Sequence, residues 1–394
     1  MQVPHGFESH PLRHLLDTEL IEILVRFFIL KKLSSFCAKI QKNDKGDINM
    51  KRVAVFDSRD YDKPGFLEYG KKYDIEYVFY EDKLNKDTIS LVKGFDAVCV
   101  FVNDTLDKQV IDYLYSNGIN IVCLRCAGFN NVDTKAAFGK VHIYRVPSYS
   151  PYSVAEHAMA LLLTSNRRIH KAYNRTRDYN FSLNELTGVD LNNKTIGVIG
   201  TGKIGKVFIN ICKGFGMNVL AFDKYPDPNL DVEYTSLNDL FKRSDFISLH
   251  CPLTEENAHM INEQSISLMK KGVGIINTSR GGLIDGKALL KGIKERKVGF
   301  ACLDVYEEEG DIFYEDKSGH ILNDDTLRDL ISMPNVIVTS HQAFLTKEAL
   351  NNIAETTTLN IVNHFSGHGN IDNEICYSCG NMAACKKVRK KVCF

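Results

Sequence analysis

An apolar run, Lys194-Thr195-Ile196-Gly197-Val198-Ile199, leads directly into Gly200-Thr201-Gly202-Lys203-Ile204-Gly205, and this junction limits the fold more than any other part of the chain. Glycines at this spacing suit a buried parallel strand that turns sharply into a helix. Gly200 makes the turn, Gly202 lets the backbone approach a pyrophosphate, and Gly205 lets the helix pack against the strand. Unpaired N–H groups at the helix start then face the phosphates. Eighteen residues after Gly205, Asp223 ends a second apolar strand, Asn218-Val219-Leu220-Ala221-Phe222. A carboxylate there accepts from the ribose hydroxyls of NAD and repels the extra phosphate of NADP. GxGxxG alone would equally describe an unrelated glycine turn; strand, helix and acid in register point to a site for NAD.

Short apolar runs alternate with helical stretches on both sides of this junction. Runs at 53–56, 75–79, 97–101, 119–124 and 141–144 come before it, and runs at 246–249, 273–277, 299–303 and 336–339 after it. That alternation predicts parallel sheets of the doubly wound kind. A helical run from 153 to about 179 leads into the dinucleotide unit, and a last helix, about 347–365, has no place in the finished second sheet. At 394 residues the chain exceeds the size of a single core, so two domains are expected. The expectation is an α/β protein of two doubly wound parallel-sheet domains, a Rossmann-like cofactor domain (149–341) inserted in a flavodoxin-like substrate domain (51–148 and 342–375). Residues 1–50 read as an appended helix and linker, and 376–394 as a basic, Cys-containing tail.

Lys plus Arg and Asp plus Glu both total 49, so no global field recruits nucleic acid or an anionic membrane. The apolar stretch 20–30 is broken by Glu22 and Arg26 and is too short to span a bilayer. Glu8, Asp17, Glu19 and Glu22 argue against a mitochondrial presequence, and Met50, directly before the first strand, reads as an alternative start. Of the eleven cysteines, those from Cys99 to Cys302 lie mostly in strand-like settings such as Val98-Cys99-Val100 and suit reduced thiols of a cytoplasmic protein. Cys376, Cys379, Cys385 and Cys393 lack the paired CxxC spacing of a zinc site, so no metal is expected.

Three strand ends carry reactive side chains. Arg280 follows the 273–277 strand, Glu307-Glu308-Glu309 follows 299–303, and His341 follows 336–339. Ligands of open α/β sheets bind at the carboxyl ends of the strands. A guanidinium there can clamp a carboxylate, and an imidazole partnered by a carboxylate can pass a proton to or from an oxygen. Taken singly, these groups would suit a surface ion pair, a solvated acidic turn and a strand cap, and His157, on an apolar helix, a packed residue. Their coincidence beyond a dinucleotide fold makes them a site for reducing a 2-keto acid.

The strings Val198-Ile199-Gly200-Thr201-Gly202-Lys203-Ile204-Gly205, Leu249-His250-Cys251-Pro252-Leu253-Thr254, Asn277-Thr278-Ser279-Arg280-Gly281, Leu303-Asp304-Val305-Tyr306-Glu307 and Ser340-His341-Gln342-Ala343-Phe344 resemble the NAD-dependent D-2-hydroxyacid dehydrogenase family over about 51–375. The similarity is strongest to its fermentative D-lactate dehydrogenase branch, favoured by a long insertion containing Phe313-Tyr314-Glu315-Asp316-Lys317. The resemblance implies a catalytic set of Arg280, Glu309 and His341, the acid standing five positions after Asp304. It places Lys203 and Ile204 at the pyrophosphate, Asp223 at the ribose, Cys251, Pro252 and Asn257 on the adenosine side and pocket wall, and Thr278 at the nicotinamide face, with Asp304 at its carboxamide and Ser279 and Arg280 also among the cofactor-binding residues. It also implies that the N–H groups of Ala127 and Gly128 cradle the substrate carboxylate and that Tyr149 and Phe344 line a small pocket. The implied activity is reversible NADH-dependent reduction of pyruvate to D-lactate by a homodimer or homotetramer. Reduction of bulkier 2-keto acids and an NADH-binding co-repressor are the alternatives.

Overall fold

The computed structural model describes residues 50–370 and 372–375, and the described residues from Lys51 on form one unit. The expectations for 1–49 and for the tail fall outside the described residues. Five strands open the unit: β1 (Lys51–Val55), β2 (Ile75–Phe79), β3 (Ala97–Val100), β4 (Ile121–Leu124) and β5 (His142–Tyr144). Seven more follow: β6 (Thr195–Ile199), β7 (Asn218–Phe222), β8 (Glu233–Tyr234), β9 (Phe246–Leu249), β10 (Val273–Asn277), β11 (Val298–Leu303) and β12 (Val336–Val338). The last, β13 (Glu374–Ile375), belongs to the first sheet.

The first sheet has the order β13-β5-β4-β3-β1-β2, parallel except for β13 against β5, and the second β12-β11-β10-β9-β6-β7-β8, parallel throughout. Inner strands such as β3 and β4 are buried along their whole length, which explains why they read as unbroken apolar runs rather than alternating ones. The order reverses beside β1 in the first sheet and beside β6 in the second, the switch points where such sheets bind ligands. The two-residue strands β8 and β13 carry no periodic signal and are absent from the sequence reading.

The helical run after residue 153 is two helices, Pro151–Arg167 and Ile169–Arg177, broken where Arg168 takes φ 51°. Asn166 fixes the break by exchanging both amide hydrogen bonds with the Val189 backbone. The first of these helices buries Ala155, Ala158 and Leu162 on the second sheet against Val198, Phe208 and Ile276. Helix Lys347–Phe365 instead lies on the first sheet. Its Ala354 and Ile361 join Phe66 and Tyr69 of helix Lys63–Tyr73, and Thr358 Oγ1 meets the Tyr77 hydroxyl at 2.8 Å. A Cβ on Gly65 would sit 2.9 Å from Ala354 Cβ, so glycine sets the separation of the two helices. Ile361 is fully buried. Ile361→Ala therefore lowers stability by about 2–5 kcal/mol, read as an earlier urea midpoint with unchanged slope.

Candidate active site

The dinucleotide loop is built by contacts that only glycine permits. Gly200 has φ 97°, and a Cβ there would lie 2.6 Å from the His250 carbonyl; one on Gly205 would lie 2.0 Å from the Gly200 carbonyl oxygen. Around Gly202, by contrast, the space is open to 4 Å. Gly202 is also the N-cap of helix Lys203–Gly214, and no side chain caps the helix, so its first N–H groups face that space. Lys203 is exposed and Ile204 half-buried at the same turn. Behind the loop, burial holds the imidazole of His250 neutral, its pKa pushed down to about 3.

Asp223 lies at the end of β7 and is tied to the loop. Its Oδ2 accepts from Thr201 N at 2.6 Å and Thr201 Oγ1 at 3.1 Å, while Oδ1 accepts from Tyr225 N at 2.8 Å. A carboxylate has about four acceptor positions, so Oδ1 keeps capacity for a ribose hydroxyl. On the facing side, Asn257 donates to the Pro252 carbonyl (2.8 Å) and Ser279 Oγ to that of Cys251 (2.5 Å). Burial pushes the Cys251 thiol up to about 11, so this wall is uncharged. Thr278 Oγ1, at the carboxyl end of β10, is buried and has no hydrogen-bond partner among the described residues. An open glycine cradle, uncapped helix N–H groups and an orphaned hydroxyl at one sheet edge fit a nicotinamide dinucleotide.

Between the two sheets lies a cavity of about 240 Å³ lined by Ala127, Gly128, Tyr149, Arg280, Glu309, His341 and Phe344. Arg280 follows β10, Glu309 follows β11 and His341 follows β12, so three neighbouring parallel strands deliver them to one edge. Arg280 Nη1 donates to the Ser279 carbonyl at 2.6 Å, and a Cβ on Gly128 would come within 3.3 Å of Nη2. The loop 126–128 is held by its carbonyls: Arg145 Nη1 donates to that of Ala127 (3.0 Å), and Val146 N to that of Cys126 (3.1 Å). The N–H groups of Ala127 and Gly128 have no acceptor among the described residues. Tyr149 and Phe344 meet edge to face at 6.2 Å, and burial raises the Tyr149 phenol, so this side carries no charge.

His341 Nδ1 and Glu309 Oε1 are 2.8 Å apart, and Glu309 Oε2 accepts from Tyr306 N at 3.0 Å. The neighbouring acid does different work, since Glu307 binds His259 at 2.8 Å and the Gly286 N–H at 3.2 Å. His341 has φ 48°, a conformation costly for a non-glycine residue, and Asp304 stabilises it. Asp304 Oδ1 accepts from Thr339 Oγ1 (2.6 Å) and Gln342 N (2.9 Å), Oδ2 accepts from Ala343 N (2.9 Å), and its carbonyl accepts from His341 N (2.7 Å). Asp304 is fully buried and not on the cavity wall. Through these bonds it holds the histidine loop. His157 Nε2 reaches the same cluster, 3.2 Å from Thr339 Oγ1.

Sequence reasoning passed over three contributors. Arg125, two residues before Ala127, lies buried beneath the loop, donating to the Phe56 carbonyl at 2.8 Å and, through Nη2, to that of Asp57. Phe101 and Tyr314 complete the cavity wall. No pattern in the sequence marks an aromatic ring that reaches a site from a distant segment. Among the described residues, no cluster of His, Cys, Asp and Glu is placed to hold a metal ion, and no helix is long and apolar enough to cross a membrane.

A two-sheet α/β fold with a nicotinamide-dinucleotide cradle and an Arg, Glu and His set at one cleft defines a class, the dinucleotide-dependent dehydrogenases of small 2-hydroxy acids. Residues 159–343 match the family described as D-isomer specific 2-hydroxyacid dehydrogenase, NAD binding domain. The chain is 49% identical over 317 residues to the D-lactate dehydrogenase of Escherichia coli K12, covering 79% of this chain and 96% of that protein. It is similar to the solved pyruvate reductase of Chlamydomonas reinhardtii (TM-score 0.77, 42% identity, 81% and 97% of the two chains). It is also similar to the Aquifex aeolicus D-lactate dehydrogenase solved with NAD and lactic acid (TM-score 0.71, 34% identity, 80% and 96%). The chain belongs to the NAD-dependent D-2-hydroxyacid dehydrogenases.

Asp223 is tied to the glycine loop and keeps acceptor capacity at the end of β7; Asp223→Ser is expected to raise the KM for NADH about tenfold and to narrow the preference for NADH over NADPH. Steady-state assays with both cofactors measure this.

Proposed function

We propose that the protein is a D-lactate dehydrogenase that reduces pyruvate with NADH, reversibly, with His341 as proton donor. The observation that carries this reading is the 2.8 Å His341–Glu309 pair in the same cavity as Arg280 and the free N–H groups of the substrate loop. When bound, the dinucleotide supplies the hydride. Arg280, whose fork suits a planar carboxylate, holds the substrate together with the Ala127 and Gly128 N–H groups and stabilises charge on the keto oxygen. Glu309 occupies Nδ1 and directs Nε2 to that oxygen, so protonated His341 donates in reduction, and neutral His341 accepts in oxidation. Tyr149 and Phe344 bound the space for the methyl group and keep it dry. Lys203, Ile204, Asp223, Cys251, Pro252, Asn257, Thr278 and Ser279 hold the dinucleotide, and Asp304 acts as the scaffold of the histidine loop.

We further propose that 51–148 with 342–375 form the substrate domain and 149–341 the cofactor domain, each helix packing on its own sheet. The second copy expected of such a dehydrogenase docks on the cofactor domain. Ile169, Tyr173, Tyr179, Phe181 and Leu183 are all more than half exposed there, an unusual run of apolar side chains for a free surface. The buried thiols Cys99, Cys123, Cys126, Cys212 and Cys302 are unpaired, which suits the cytosol.

In a steady-state assay pyruvate turns over with NADH faster than phenylpyruvate or glyoxylate. His341→Ala lowers kcat by about a thousandfold or more while NADH binding persists. Faster phenylpyruvate turnover selects the bulkier-substrate alternative, and tight NADH binding without turnover the co-repressor. Sedimentation gives a dimer or tetramer, and Phe181→Asp with Leu183→Asp shifts it to monomer.

A further inference from the structure

The insertion between Glu309 and His341 crosses the cleft. It leaves β11 through a tight turn in which Phe313 N donates to the Glu309 carbonyl at 2.9 Å, and the Phe313 ring is buried in the second sheet's core. The next two residues reach the first sheet. Tyr314 packs its ring edge on against Phe101, after β3, at 5.4 Å, and nearly parallel to the His341 ring at 6.1 Å. Its hydroxyl donates to the His341 carbonyl at 3.0 Å, and its N–H to Ser340 Oγ at 3.2 Å. Glu315 Oε1 lies 3.3 Å from Arg59 Nη2 and 3.2 Å from Lys83 Nζ, both from loops at the carboxyl edge of the first sheet. Arg59 also binds the buried Asp57 at 3.0 Å.

We propose that Tyr314 is a positioning and size-setting residue and that Glu315 is the clasp that seats it. This rests on the reading of His341 as proton donor and names what holds that group and limits its substrate. The His341 carbonyl belongs to the residue at φ 48°, so a hydrogen bond to it fixes the peptide plane from which the imidazole projects. The Asp304 network holds this loop from behind, and Tyr314 holds it from the cavity side. Burial, reinforced by the Glu309 carboxylate, raises the Tyr314 phenol well above its ordinary range, which keeps it a donor. Its ring is also cavity wall, lining the same space as Phe344, Ala127 and Gly128. Glu315 ties this wall to the other sheet. Burial works against its ionisation, but Lys83 and Arg59 outweigh that and hold its carboxyl below the usual range. Half-buried and paired twice, it binds more firmly than an isolated surface pair. The wall is therefore in place only when the two sheets are closed on the cavity.

Three variants of the full chain test this, each checked for an unshifted thermal midpoint. Tyr314→Phe keeps the ring and loses the hydroxyl; kcat for pyruvate falls about tenfold, while KM for NADH stays within about twofold. Tyr314→Ala opens the wall, and the phenylpyruvate-to-pyruvate ratio of kcat/KM rises about tenfold or more. Glu315→Gln leaves the contacts of His341 intact and raises KM for pyruvate about fivefold with little change in kcat. Wild-type kcat in Tyr314→Phe with an unchanged substrate ratio in Tyr314→Ala overturns the positioning role, and an unchanged KM in Glu315→Gln overturns the clasp. Should Tyr314→Ala fail to fold, the other two variants decide. His341→Ala separates the two readings: if it is inactive while the Tyr314 and Glu315 variants match wild type, only the present inference falls.

Discussion

A single buried carboxylate organises the reactive edge of this molecule. Asp304 ends β11 with no exposed surface and gathers Thr339, Gln342 and Ala343 on its side chain and His341 on its carbonyl. Its hydrogen bonds satisfy a polar group that would be costly to bury unpaired. The turn that results forces His341 into the left-handed region, which histidine tolerates better than most residues. Without that turn the imidazole would have no fixed direction. Glu309 could not hold its Nδ1, and the pair that carries the proposed proton transfer would be lost.

The sheet supplies the rest of the geometry. β10, β11 and β12 are adjacent and parallel, so their carboxyl ends lie side by side, and the residues that follow them, Arg280, Glu309 and His341, reach one cleft from segments far apart in sequence. The opposite wall comes from the first sheet, through the loop 125–130. Its approach to Arg280 depends on the missing side chain of Gly128. The dinucleotide cradle lies at the same edge, at the β6 switch point. The proposed hydride and proton sources therefore lie on different strands of one sheet, facing a cavity lined from both sheets.

Much of this is visible in the amino-acid order because local physics writes it there. The strand that ends in Gly200 is apolar because it is buried, and the glycines at 200 and 205 are needed because carbonyls lie where a Cβ would go. Arg280, Glu309 and His341 stand out because each follows an apolar run. What the sequence does not reveal depends on contacts between distant segments. The break at Arg168 needs Asn166 to reach Val189, and the scaffold role of Asp304 needs the loop after β12 to fold back on it. The choice among Glu307, Glu308 and Glu309 came from a family spacing; geometry separates two of the three, since Glu307 pairs with His259 and Glu309 with His341. Tyr314 is an aromatic residue in a polar insertion until the first sheet is brought against it.

The central claim is spatial: the imidazole, its acid and the guanidinium meet the substrate at the face where the dinucleotide delivers its hydride. A crystal structure of the protein with NADH and the pyruvate analogue oxamate tests it most directly. The account predicts His341 Nε2 about 2.6–3.2 Å from the analogue's carbonyl oxygen, Arg280 paired with its carboxylate, and Glu309 still on Nδ1. An analogue bound with that oxygen facing another donor, and His341 turned away from it, would contradict the account.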